Sequence, residues 1–143
     1  MRYDPGADAA RRFPDWVIRH RPLGGIPEVM CRRRRTILID SGTSWPQKRC
    51  SLAHAVAHLD LEHQATTSGL FDVRMERQAN GLAARRLIAV DQLVHVLSWT
   101  RHTSEIAAEL EVDLVTLDVR RRHLHPSERA YLAKHVTWLE ETA

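Results

Sequence analysis

Cysteine is scarce in this 143-residue chain: there are two, Cys31 and Cys50, with no regular spacing and no partners of the kind a thiolate zinc site uses. Their scarcity excludes a disulfide scaffold and suits a reducing compartment, with both thiols free and buried. Long apolar runs are also missing. No stretch approaches the roughly 18 uncharged residues of a membrane span, and the opening MRYDPGADAARRFPDW lacks the apolar core of a signal peptide. Neither repeats nor low-complexity tracts are visible. The expectation is a soluble, cytoplasmic protein of one compact domain, with or without a small appendage, large enough to fold without staples.

What is present is a modest basic excess, a net charge of +3 with pI near 9.3. Much of it lies in Arg32-Arg33-Arg34-Arg35 and Arg120-Arg121-Arg122. Such runs can meet phosphate or an acidic partner, or form a solvated edge. The plain reading of the first run is that it blunts the edge of a sheet.

The chain divides into a short β-prone part and a long helical one. Asp8 to Phe13 reads as a helix ended by Pro14. Trp16-Val17-Ile18 and Val29-Met30-Cys31 are strand-like runs separated by the turn-forming Pro22-Leu23-Gly24-Gly25, and Thr36 to Asp40 is the clearest strand. Ser44-Trp45-Pro46-Gln47 has capping-box spacing and opens a helix expected to reach His63. A polar loop through Thr66, Thr67, Ser68 and Gly69 leads to a helix over Val73 to Leu87. Further helices are capped by Asp91, by Thr103 or Ser104, and by Asp113. The last starts at Pro126-Ser127, with Tyr131, Leu132, Val136 and Leu139 at helical spacing. This order predicts an α+β fold: a small N-terminal antiparallel sheet on a helical core over residues 1–90, then a helical segment over 91–143.

The chemistry concentrates on one helix. His54 and His58 are four residues apart, so they share a face and can present two imidazoles to one metal ion. Their surroundings, Leu52-Ala53-His54-Ala55-Val56-Ala57-His58-Leu59, are apolar, which marks a buried helix. Two imidazoles are costly there unless satisfied, and a metal satisfies both. Glu76 is the best third ligand, because Ala79, Gly81, Ala83 and Ala84 let its helix approach closely. Asn80, one turn on, could bond the ligand from behind. Asp60, His63 and Asp72 are nearby alternatives. Two ordinary core histidines and a solvated glutamate would be the bland reading. Zinc follows from the ligand types.

In a His-Glu-x-x-His peptidase, the glutamate after the first histidine takes a proton from the attacking water and gives it to the leaving amine. That slot here is Ala55. Metal binding should survive the alanine, whereas hydrolysis should fall by about two to four orders of magnitude. Two histories fit, an engineered knockout and a natural relic that keeps its metal. The intact surroundings tilt the balance towards the first.

With these residues in view, the chain resembles the ImmA/IrrE family of metallo-endopeptidases. The resemblance rests on Arg49-Cys50-Ser51-Leu52-Ala53-His54-x-x-Ala57-His58 and Glu76-x-x-Ala79-Asn80-x-Leu82-Ala83-Ala84-x-x-Leu87-Ile88, with the strand Ile37-Leu38-Ile39-Asp40 before them. It is best over about residues 30 to 90 and points to compact actinobacterial or phage-borne members. It implies a zincin-like core in which His54, His58 and Glu76 hold Zn2+ and position 55 is the catalytic slot. It also implies a substrate that is a regulatory protein, commonly a helix-turn-helix repressor. The departures are Ala55, and Ala89-Val90 where the family often has Met-Pro.

Residues 104–122 resemble a helix-turn-helix themselves, with Ile106, Ala107, Leu110, Val112 and Leu117 at its packing positions. The turn position that prefers glycine is Glu111, however, and Arg120 stands where an apolar residue is usual. Helical packing is favoured over DNA reading, and no DNA-contacting residue is assigned. The competing reading is a DNA-binding or partner-sequestering regulator that keeps a structural metal.

Overall fold

A computed structural model describes residues 2–65 and 71–138. The expected polar loop through Thr66, Thr67, Ser68 and Gly69 lies outside the described residues, as does Leu139. In chain order the elements are α1 (Pro5–Arg12), β1 (Val17–Arg21), β2 (Glu28–Cys31), β3 (Thr36–Asp40), α2 (Trp45–Asp60), α3 (Val73–Leu87), α4 (Val90–Leu97), α5 (Thr103–Leu110), α6 (Leu114–Arg122) and α7 (Pro126–His135). The fold is α+β, a small sheet followed by helices. The first helix starts earlier than Asp8 because Asp4 caps it. Ala7 N donates to Asp4 Oδ1 at 3.0 Å, and Pro5 fills the first turn, where a missing N–H costs nothing.

The sheet is mixed, where the sequence reading expects an antiparallel one. Its order is β1-β3-β2, with β2 antiparallel and β1 parallel to β3. The tight turn Arg32–Arg35 sets β2 beside β3. Arg35 N donates to Arg32 O at 3.2 Å, and Arg35 takes a left-handed φ of 48°. The connection from β1 to β2 instead arches over the end of β3, so β1 lands on the far side. Asp40 pins that arch by accepting from Leu23 N at 3.1 Å and Gly42 N at 3.2 Å. Gly24 and Gly25 supply the positive φ values the arch needs.

Helix α2 has the predicted capping box: Gln47 N donates to Ser44 Oγ and Ser44 N to Gln47 Oε1, each at 3.3 Å. It stops at Asp60, short of His63. Glu62 turns left-handed (φ 55°) and His63 N donates back to His58 O at 3.0 Å, closing the helix end. Further along, α4 starts at Val90, so Asp91 sits inside its first turn and Ala89 is the cap. His102 holds the cap position of α5, ahead of Thr103. Asp113 caps α6 as expected, through Thr116 N at 2.7 Å.

The middle layer is α2. Leu52, Ala55 and Leu59 pack under the sheet with Ile37, Ile39, Ile18 and Met30. Cys50, Ala53 and Ala57 enter a second cluster with Ala79, Ala83 and Leu87 of α3, and that cluster continues through Leu93, Ile106, Leu117 and Leu132. This core therefore runs unbroken past residue 90. Of the two thiols only Cys50 is buried; Cys31 is half-buried at the sheet edge.

Candidate metal centre

His54, His58 and Glu76 converge. One potential ligand atom from each lies within 4.8 Å of the others. His58 Nε2 is 3.1 Å from Glu76 Oε1, and His54 Nε2 is 3.3 Å from Glu76 Oε2. The convergence follows from the packing. Ala53 and Ala57 on α2 meet Ala79 and Ala83 on α3, so the helices lie close enough for a carboxylate in the first turn of α3 to reach across.

Each imidazole is held from behind by its other nitrogen. His54 Nδ1 donates to Glu28 Oε1 of β2. His58 Nδ1 is 3.0 Å from His63 Nδ1, and His63 Nε2 is 2.8 Å from Gln78 Oε1. Because the Gln78 oxygen only accepts, His63 Nε2 carries the proton. His63 Nδ1 then accepts from His58 Nδ1–H, which leaves the His58 Nε2 lone pair 3.1 Å from a Glu76 oxygen, two acceptors whose repulsion a cation between them would relieve. The His58 ring also stacks on Phe71, with centroids 3.8 Å apart and planes 11° from parallel. Both histidines thus turn Nε2 towards one point. His54 Nε2 is buried without a hydrogen bond of acceptable geometry, an orphaned atom that a metal would satisfy.

The two imidazoles differ in charge. Burial alone would push His54 down, but the Glu28 and Glu76 carboxylates outweigh it and raise the imidazole to about 9. Burial, reinforced by His54, takes His58 down to about 4, so it is neutral. The neighbouring imidazole of His54 holds Glu76 below the usual carboxylate range. Neutral His58 and ionised Glu76 are ready donors for a divalent ion, whereas His54 holds a proton in the metal-free protein that the ion must displace from Nε2.

The other sequence candidates lie elsewhere. Asp60 is bonded to Arg12 and Arg86, and Asp72 caps α3 through Met75 N at 2.8 Å. His63 stands behind His58, outside the three-residue cluster. Asn80 is exposed and lines a different cleft with Leu61, Arg85 and His123, while the groups in contact with the Nδ1 atoms of His54 and His58 are Glu28 and His63. Sequence reasoning missed Glu28, Gln78 and Phe71. The one available signal was an acid on the inward register of β2, two residues from Met30. Ala55 is buried beneath the sheet among Ile37, Ile39 and Leu59.

The two arginine runs differ: Arg32 to Arg35 are all exposed, whereas the second run is buried at Arg120 and exposed at Arg122. Arg32 Nε donates to His63 O at 2.9 Å, tying the β2–β3 turn to the end of α2, and Arg35 faces Asp15 at 3.3 Å. Arg120 is buried. It donates to Ile88 O at 2.7 Å and bridges both oxygens of Glu128 at 2.9 and 2.6 Å. Helices α5 and α6 meet through Glu111, whose left-handed φ of 54° explains why glycine is preferred there.

Comparison with curated proteins and with solved structures finds no match. Residues 11–122 match one protein family, the IrrE N-terminal-like domain, Peptidase_M78. That stretch contains the sheet, His54, His58, Glu76 and helices α2 to α6, and on it the chain belongs to the IrrE N-terminal-like family of peptidases.

Proposed function

We propose that this protein is a zinc-binding member of its family, of ImmA/IrrE type, whose hydrolytic step is disabled at position 55. The observation that carries this reading is the convergence of His54 Nε2, His58 Nε2 and the Glu76 carboxylate, with both Nδ1 atoms engaged behind them. Bound zinc would supply a Lewis acid at that point. His54, His58 and Glu76 would fix it, and Ala55 leaves no group there to carry the proton. Among the described residues, the carboxylates beside the cluster are Glu28 and Glu76, and both are engaged by the histidines.

The proposed partner is a regulatory protein, a helix-turn-helix repressor in particular, by the family resemblance. The test is a cleavage assay with zinc-loaded protein and its Ala55→Glu variant on the repressors of its own operon. The unaltered chain is expected to cleave none, and the variant to gain at least about a hundredfold over it. A folded, zinc-loaded Ala55→Glu variant that cleaves no such repressor sinks the peptidase reading.

A second reading, a partner-sequestering regulator, draws support from α6. Its exposed positions are Leu114, Val115, Asp118 and Arg122, with Arg122 paired to Asp118, while Arg120 is consumed inside. That face suits a protein surface better than phosphates. Retention of the repressor by the unaltered chain, with no salt-sensitive shift of operator DNA, would favour sequestration over DNA binding.

A further inference from the structure

We propose that Glu28, on the edge strand β2, is a positioning residue of the metal centre, acting through His54. Three observations carry it. Glu28 lies in register with Ile39, on the inward face of the sheet, where its neighbour on that face is the apolar Met30. A carboxylate on that face is costly unless it is needed. Its Oε1 accepts from His54 Nδ1, and both side chains are about 15% exposed. That bond fixes the His54 tautomer, leaves Nε2 facing Glu76, and makes the imidazole a stronger donor.

The third observation is charge. Once a bound ion has replaced the Nε2 proton of His54, both imidazoles are neutral, and Glu76 alone leaves a divalent ion with one uncompensated positive charge in a half-buried site. Ala55 contributes none. Glu28 is the second negative charge beside the cluster and makes the loaded site neutral. The two imidazoles are thus backed differently: His54 by a carboxylate on a strand, His58 by a neutral histidine at its own helix end. The sheet therefore contributes to the metal centre directly, and is more than a platform for α2.

The inference rests on the metal-centre reading above, and one experiment separates the two. Zinc affinity is measured on the full chain by competition with a chromophoric chelator. The unaltered protein is compared with Glu28→Gln, Glu28→Ala and a His54→Ala, His58→Ala double variant. Second readouts are the cobalt(II) absorption spectrum and the urea midpoint of each metal-free protein. The double variant is expected to lose binding. Glu28→Ala should bind about 10- to 100-fold more weakly. Glu28→Gln, which keeps an acceptor for Nδ1–H without the charge, should fall between, and the cobalt spectrum should shift in both Glu28 variants. Affinity and spectrum unchanged in both overturn the role of Glu28 and leave the metal centre standing. A double variant that binds zinc as tightly as the unaltered chain overturns the metal centre, and this inference with it. If Glu28→Ala does not fold, Glu28→Gln decides by the same criterion.

Discussion

His63 Nδ1 lies 3.0 Å from His58 Nδ1, although the two residues are five apart and α2 has ended between them. The left-handed turn at Glu62 makes this possible by reversing the chain at the helix end. A residue that would have extended the helix becomes a support for its buried histidine. Replacing His63 with alanine removes that support while leaving the three converging groups in place. Zinc affinity should fall by about tenfold or more, read by chelator competition. Unchanged affinity would show that Phe71 stacking alone orients His58.

The alanines between α2 and α3 predict a steric result. Ala57 is fully buried in the shared core. Ala57→Leu should destabilise the protein by about 1–3 kcal/mol through overpacking, seen as a lowered urea midpoint. A midpoint equal to that of the unaltered chain would mean the helices can part freely.

Acid should loosen the C-terminal helices through one pair. The bidentate Arg120 guanidinium holds Glu128 down to about 2, against an ordinary value near 4.5. A depressed carboxylate contributes stability that is fully present above about pH 4.5 and is lost as pH falls towards about 2. Glu128→Gln should therefore lose stability at pH 6 and show a flatter decline between pH 5 and pH 3, measured by urea unfolding at each pH. An equally steep decline in the variant would place the acid sensitivity elsewhere.

Glu111 offers the opposite sign. It holds φ 54° without being glycine, and its ion pair with Arg2, at 3.2 Å, is exposed. Glu111→Gly should relieve about 1 kcal/mol of backbone strain and lose little from the pair, raising the Tm. A lowered Tm would mean the Arg2 contact outweighs the strain.

The helical core was legible because its signals are local. A capping box, an Asp cap and a run of small residues each announce an element within a few positions, and α3 falls at Val73–Leu87 as its pattern predicts. The same locality exposes Glu76, which needs only a close helix to reach the histidines. Glu28 was hidden for the converse reason. Its role depends on strand order, and the order β1-β3-β2 is set by an arch over β3 that short-range patterns do not encode. The end of α2 was misjudged because a non-glycine at positive φ leaves no mark in the sequence. Arg120 was visible as an oddity, but not its buried bridge from Ile88 to Glu128.

Arg32 closes a loop between distant parts of the chain. The hairpin turn that carries it follows directly on the strand bearing Glu28, and Arg32 grips the carbonyl of His63, the support of His58. The hairpin therefore reaches both histidines, one through a carboxylate and one through a backbone oxygen. Whatever grips or peels the hairpin would alter the hold on the ion, and by thermodynamic reciprocity the ion would stiffen the hairpin to the same extent. Slower amide exchange in β2 on adding zinc would be the mark of that reciprocity.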